Sequence, residues 1–241
     1  MLNIENLEKF TKQTQTSFVN VAREYCQHLF LSYLYRQRGS EKLLFKGGTA
    51  LRIVFRSPRY SEDLDFTGVN IKAKEIEEIF ANTLSDIENT GIEVEIIESK
   101  NTTGGYLGIA LFKVYEINIQ IQIEVSLRND GEAKGVRTLI DNDYIPAYTL
   151  VHLVMDDVIK GKLQALYSRK KPRDFFDYFF LLSGNYPIVK EKDNLQKVMK
   201  LIREEDINFR SELKKFLPAS HATYLKDFKE ILENKIKAHF A

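Results

Sequence analysis

The sequence predicts a two-part α/β protein, with a mixed β-sheet flanked by helices over residues 1–148 and a helical domain over residues 149–241. Three observations lead there. Ile117, Ile119, Ile121, Ile123 and Val125 alternate with Asn118, Gln120, Gln122, Glu124 and Ser126, the pattern of a strand with one buried face. Short apolar runs and helix-period segments take turns between residues 43 and 127. From His152 onward the periodicity is helical almost throughout, with Asp141 to Pro146 as the link. At 241 residues, 44% of them hydrophobic, the chain can bury a sizeable core as one large domain or two small ones.

The elements follow in order. Phe18, Val21, Ala22, Tyr25, Leu29 and Tyr33 fall at helical spacing within residues 5 to 36, which predicts one long helix or two abutting ones. Leu43-Leu44-Phe45 reads as a short buried strand ended by Gly47 and Gly48, and Thr49 to Phe55 as the helix that follows. Asp63 to Phe66 is the next strand. A helix from about Lys74 to Asn89 closes at Gly91 in the C′ position. Ile92 to Glu98 alternates as a strand, Asn101 to Gly105 is a turn, and Tyr106 to Val114 is a second strand. Asn118 to Leu127 is the clearest strand of the chain. No internal repeat or low-complexity tract is present.

Two features of this pattern carry chemistry. Lys46-Gly47-Gly48-Thr49 opens a helix through glycines, and free N–H groups with a positive dipole end hold phosphate oxygens. By itself a Gly-Gly turn before a helix is most often plain geometry. About a dozen residues later come Asp63 and Asp65, which at i and i+2 of a strand share a face with Cα atoms about 6.7 Å apart, so both can reach one pair of divalent cations. Solvated carboxylates on a strand edge are the plain alternative. Aspartate is depleted in strands, however, and here two flank apolar Leu64, so the charge answers a local requirement. Phosphate held beside magnesium is the chemistry this pairing implies.

Further along, Lys162, Ala165, Leu166 and Arg169 stack along one helical face, where a lysine and an arginine around a small alanine would let a triphosphate approach. A helix C-terminus attracts the same residues, and Arg169-Lys170-Lys171 before Pro172 fits that reading too. Asp174 lies near the start of the next helix, where the dipole favours a carboxylate without any function. The aromatic run Phe175, Phe176, Tyr178, Phe179 and Phe180 occupies every side of a helix and reads as core rather than a base-stacking platform.

Residues Gly47-Gly48-Thr49-Ala50-Leu51 followed by Arg59-Tyr60-Ser61-Glu62-Asp63-Leu64-Asp65-Phe66 resemble the AbiEii/AbiGii-type toxins of the DNA polymerase β-like nucleotidyltransferase superfamily. Lys162 to Arg169 and Arg173-Asp174-Phe175-Phe176-Asp177 look like the lysine and arginine–aspartate motifs of the same family. The resemblance implies a nucleotidyltransferase core, the toxin role in a toxin–antitoxin or abortive-infection system, and Mg²⁺-dependent transfer of an NMP from an NTP to an acceptor hydroxyl. RNA, tRNA first, is the implied acceptor, and a cognate antitoxin the implied partner. On this resemblance Asp63 and Asp65 hold two Mg²⁺ ions with Glu124 as the third carboxylate from a neighbouring strand. Gly47, Gly48, Thr49, Ser61 and Lys162 would hold the nucleotide, and Asp174 would be catalytic, with Asp177 pairing with it structurally. Ser61 could instead merely close a turn. Nucleotidylation of a protein hydroxyl by the same site, and a catalytically silent binding module of this fold, are the rival functions.

Bulk properties exclude other classes. The net charge of +1 divides into +5 from residue 149 onward and −4 before it, as expected if a carboxylate metal site precedes a polyanion-facing part, although ordinary surface variation accounts for so small an imbalance equally well. The single Cys26 excludes an internal disulfide framework, and the start lacks a signal peptide, so a cytoplasmic protein is expected. The apolar run Phe175 to Leu182 is too short to span a bilayer and contains Asp177, so no membrane role is expected. His28, His152, His221 and His239 lack metal-ligand spacing, and Walker and Rossmann glycine signatures are absent.

Overall fold

A computed structural model describes residues 2–128 and 132–240. They form two compact units, one of Met1–Arg56 with Tyr60–Val154, the other of Met155–Ala241 with the three residues Ser57–Arg59.

The first unit is a seven-stranded mixed sheet with helices against it. Its strands are β1 (Leu43–Lys46), β2 (Leu64–Gly68), β3 (Val94–Thr102), β4 (Gly105–Val114), β5 (Ile117–Ser126), β6 (Gly135–Ile140) and β7 (Tyr148–Leu153), in the order β3-β4-β5-β2-β1-β7-β6. β1 runs antiparallel to β2 and parallel to β7, while β2 runs parallel to β5. The N-terminal helical pattern resolves into two helices, α1 (Ile4–Thr14) and α2 (Phe18–Leu34). Gln15 in the left-handed region ends the first, and the Ser17 side chain caps the second by accepting from the Asn20 N–H. α3 (Gly47–Ile53) follows β1 directly, and α4 (Ala73–Glu88) lies along β3 and β4. Gly91, expected at C′, sits one position further out at φ +85°, donating its N–H to the Glu88 carbonyl at 2.8 Å.

The strictly alternating segment does what its pattern requires: Ile119, Ile121, Ile123 and Val125 are buried, and Glu124 on the other face is exposed. Rings build the core beneath, with Phe30 of α2 at 6.1 Å from Phe80 of α4, itself 5.9 Å from Tyr106 of β4. Phe45 and Phe66 join β1 to β2 at 5.4 Å.

The helical domain expected from residue 149, with helical periodicity from His152, starts later than that, its first helix beginning at Met155: β7 places Tyr148–Leu153 inside the sheet between β1 and β6. Four of its last five residues are buried, so the segment is an apolar run without alternation, which periodicity alone cannot tell from a helix. β6 was not predicted either, since Gly135–Ile140 is an edge strand with only Ile140 buried.

The second unit contains α5 (Met155–Arg169), α6 (Pro172–Ser183), α7 (Lys192–Glu204), α8 (Phe209–Phe216), α9 (Ala222–Leu225) and α10 (Phe228–Lys237). The aromatic run on α6 is core: Phe175, Phe176 and Tyr178 are buried, and Phe175 and Phe176 pack against Phe209 and Phe228 at 5.7 and 5.9 Å. Among the described residues no helix is long and apolar enough to cross a membrane.

Candidate functional site

In the first unit the sheet register builds the site. Lys46 on β1 stands opposite Asp65 on β2, and Asp65 stands opposite Glu124 on β5, so the three side chains form a row across adjacent strands spaced about 4.8 Å apart. Leu64 and Phe66 are fully buried, so Asp65 between them faces the other way, toward the polar side that also carries Glu124. Asp63 lies one residue before β2. Its carbonyl accepts the Thr49 hydroxyl at 2.5 Å, which ties the start of α3 to the entrance of the aspartate strand.

Gly47 fixes how close these parts come. It holds φ +85°, a conformation that favours glycine, and a Cβ there would collide with the Asp65 carboxylate. The carboxylate therefore rests directly against the backbone where β1 turns into α3. Gln27 of α2 donates to the carbonyls of Ser61 and Glu62 at 3.0 and 3.1 Å, holding the segment that leads into the aspartates.

Lys46, Asp65 and Glu124 line a cleft of about 340 Å³ together with Thr102, Thr103, Gly104 and Arg128. Burial pushes the Lys46 ammonium below its ordinary range, against the pull of the Asp65 and Glu124 carboxylates in the other direction, while Arg128 adds to the depression. Glu124 also accepts from Gln122 at 2.5 Å. Among the described residues no three His, Cys, Asp or Glu side chains are gathered into a metal-holding group. The donor set nonetheless fits magnesium, which is held by one or two carboxylates together with substrate phosphates rather than by an all-protein cage.

The remaining candidates lie in the second unit, around a buried carboxylate. Asp177 of α6 is 2% exposed and receives Arg59 Nε at 2.7 Å and Nη2 at 3.0 Å, a fork-to-fork pair, while Lys162 Nζ of α5 donates to its second oxygen at 2.7 Å. Burial alone would raise the Asp177 pKa; the two cations outweigh it and hold the group at about 2. Asp174 is buried at the start of α6, accepting from Arg169 at 2.6 Å and from the Lys171 N–H at 3.2 Å, so it caps its helix as well as pairing with an arginine.

The structure thus brings Gly47, Asp65 and Glu124 together, with Thr49 and Asp63 joined beside them, and places Lys162 and Asp174 in the helical unit. Ser61 contributes its carbonyl to Gln27. Asp177 pairs with Arg59 and Lys162, and the arginine beside Asp174 is Arg169. Lys46 was not singled out by sequence reasoning. The available signal was its position, a lysine ending a strand immediately before the glycine turn and so level with an acidic partner strand.

A profile for the family described as nucleotidyl transferase AbiEii toxin, type IV toxin–antitoxin system, matches residues 29–239. No curated protein matches the chain. Among solved structures, JHP933 from Helicobacter pylori aligns with a TM-score of 0.57 at 20% identity, over 92% of this chain and 95% of that one. A second H. pylori structure, described as a candidate nucleotidyltransferase, aligns with a TM-score of 0.54 at 18% identity, over 90% of this chain and 96% of that one. At these identities the likeness is one of fold.

Proposed function

Because the chain belongs to the AbiEii family of nucleotidyl transferase toxins, we propose that it moves an NMP from an NTP to an acceptor hydroxyl on RNA, with tRNA the leading acceptor, at the carboxylates of its sheet. The observation that carries this reading is the row of Lys46, Asp65 and Glu124 in register across β1, β2 and β5, with the Asp65 carboxylate against Gly47. In this reading Asp63, Asp65 and Glu124 hold two Mg²⁺ ions. Held by these carboxylates, Mg²⁺ would supply charge stabilisation for an in-line displacement at the α-phosphate that releases pyrophosphate.

The chain's own groups do the rest. The backbone of Gly47, Gly48 and Thr49 holds phosphate oxygens, with Ser61 as a further donor. Exposed Glu124 is free to meet the acceptor, and as a carboxylate it takes the proton from the attacking hydroxyl. Lys46 keeps the clustered negative charge of the metal-free protein in check. On the resemblance of their motifs alone, Lys162 is proposed to meet the triphosphate and Asp174 to be catalytic. A cognate antitoxin in the same cytoplasm is the expected partner.

The test is to incubate purified protein with each α-labelled NTP, Mg²⁺, and either tRNA or total protein. Label should enter tRNA, and Asp65→Asn should lower its incorporation at least about 100-fold while the circular dichroism spectrum stays unchanged. Label entering protein instead would reject the RNA acceptor, and no label in either polymer would reject the transfer.

A further inference from the structure

Two sides of the cleft differ in chemistry. On one side the Asp65 carboxylate rests against Gly47 at the start of α3. On the other, beyond Glu124, stand exposed Arg128 and the tip of the β3–β4 hairpin, Thr102 to Gly104, which no part of the transfer described so far uses.

That far wall is built rather than incidental. Gly104 holds φ +98°, and a Cβ there would come within 3.0 Å of Arg128 Nε and 3.3 Å of its Cγ, so the arginine side chain lies across the bare face of the glycine. Gly105 is just as tightly placed, since a Cβ would run into the Val125 carbonyl of β5. The Leu127 N–H closes the arrangement by donating to the Gly104 carbonyl at 2.9 Å. Hairpin tip and arginine are therefore held together, and Thr102 and Thr103 line the same cleft as Arg128.

From this wall the geometry points to a phosphodiester-binding subsite for the acceptor strand, formed by Arg128 with Thr102 and Thr103; the inference rests on the transfer proposed at Asp65 and Glu124. In the strand order β1-β2-β5-β4, the glycine turn belongs to the β1 side and the hairpin tip to the β4 side, two strands or about 10 Å from β2. NTP phosphates held at Gly47 to Thr49 leave the region past Glu124 to whatever carries the attacking hydroxyl. A planar guanidinium with neighbouring hydroxyls suits a backbone phosphate of a nucleic acid. A protein acceptor would offer no phosphate there.

The test measures tRNA binding to the full chain across a salt series, for wild type, Arg128→Ala and Arg128→Lys, with NTP affinity in the presence of Mg²⁺ measured on the same proteins by calorimetry. Arg128→Ala should weaken tRNA binding about five- to tenfold and reduce the slope of log affinity against log salt by about 0.7–0.9, the release from one phosphate. Arg128→Lys should restore the slope more fully than the affinity, because a point charge replaces the fork. NTP affinity should stay within about twofold, since binding there is at the other side of the cleft. Unchanged tRNA binding in Arg128→Ala overturns the subsite and leaves the proposed transfer standing. Loss of NTP affinity moves Arg128 to the triphosphate and overturns it as well. A wild-type protein that binds no tRNA overturns both the subsite and the RNA acceptor.

Discussion

At the residue scale two cations meet at Asp177, a buried carboxylate shared by Arg59 and Lys162. An unfolded aspartate titrates near about 3.9. Its folded pKa of about 2 is depressed, so the contribution to stability is complete above the unfolded value and is lost as pH falls toward the folded one. Asp177→Asn should cost about 3–5 kcal/mol at pH 7, because it removes the carboxylate that the 5%-exposed Arg59 and Lys162 share. Urea unfolding of wild type and variant at several pH values should show the gap narrowing below about pH 4; a gap independent of pH would show that packing, not charge, is lost. Arg59→Met should destabilise more than Lys162→Met, since the arginine meets both oxygens of Asp177 and is the more buried cation. If Lys162 also serves the triphosphate, Lys162→Met should raise the KM for NTP beyond what its stability loss explains. Sequence alone could name these residues but not pair them. Arg59 and Asp177 stand 118 positions apart, and only the folded chain shows that the arginine of the aspartate motif's preamble belongs to a helix far downstream.

At the element scale glycines separate geometry from propensity. Gly47→Ala forces a Cβ into the Asp65 carboxylate at a positive φ, so it should destabilise by about 1–3 kcal/mol and displace a side chain on which the proposed transfer depends. Gly161 presents the opposite case, an open position inside α5 with nothing within 4 Å of an added Cβ. Gly161→Ala should therefore raise stability by about 0.5–1 kcal/mol. Thermal melting of the two variants should move in opposite directions, and a stabilised Gly47→Ala would contradict the packing of Asp65. The same contrast explains what was legible in the chain. β5 could be read because one face is buried and the other wet, which writes the alternation into the sequence. β7 could not, because its burial is nearly continuous, and β6 could not, because an edge strand buries too little to leave a pattern. The aspartate strand and its glycine turn were readable from residue type alone, whereas Lys46 and Arg128 acquire their meaning from register and from a hairpin packed against β5.

At the scale of the whole molecule the division into two units does not follow the chain, since Ser57–Arg59 belongs with helices that begin at residue 155. A fragment of residues 155–241 lacks Arg59 and so keeps Asp177 with one cation in place of two. Its helices should unfold at lower urea than those of the intact chain, and Asp177→Asn should cost it less than it costs the full protein; equal costs in both settings would mean that the three-residue segment is dispensable. This segment also sets a clock on synthesis. A ribosome adding about 5–20 residues per second emits the 118 positions between Arg59 and Asp177 in about 6–24 s. Throughout that interval the stretch leading into Asp63 and Asp65 lacks the Asp177 carboxylate for its guanidinium, and a chain released before residue 177 would never gain that pair. Completion of the entry to the aspartate strand is thus tied to translation of the C-terminal helices, so that nascent and truncated products of a toxin family should differ in this segment from the finished protein.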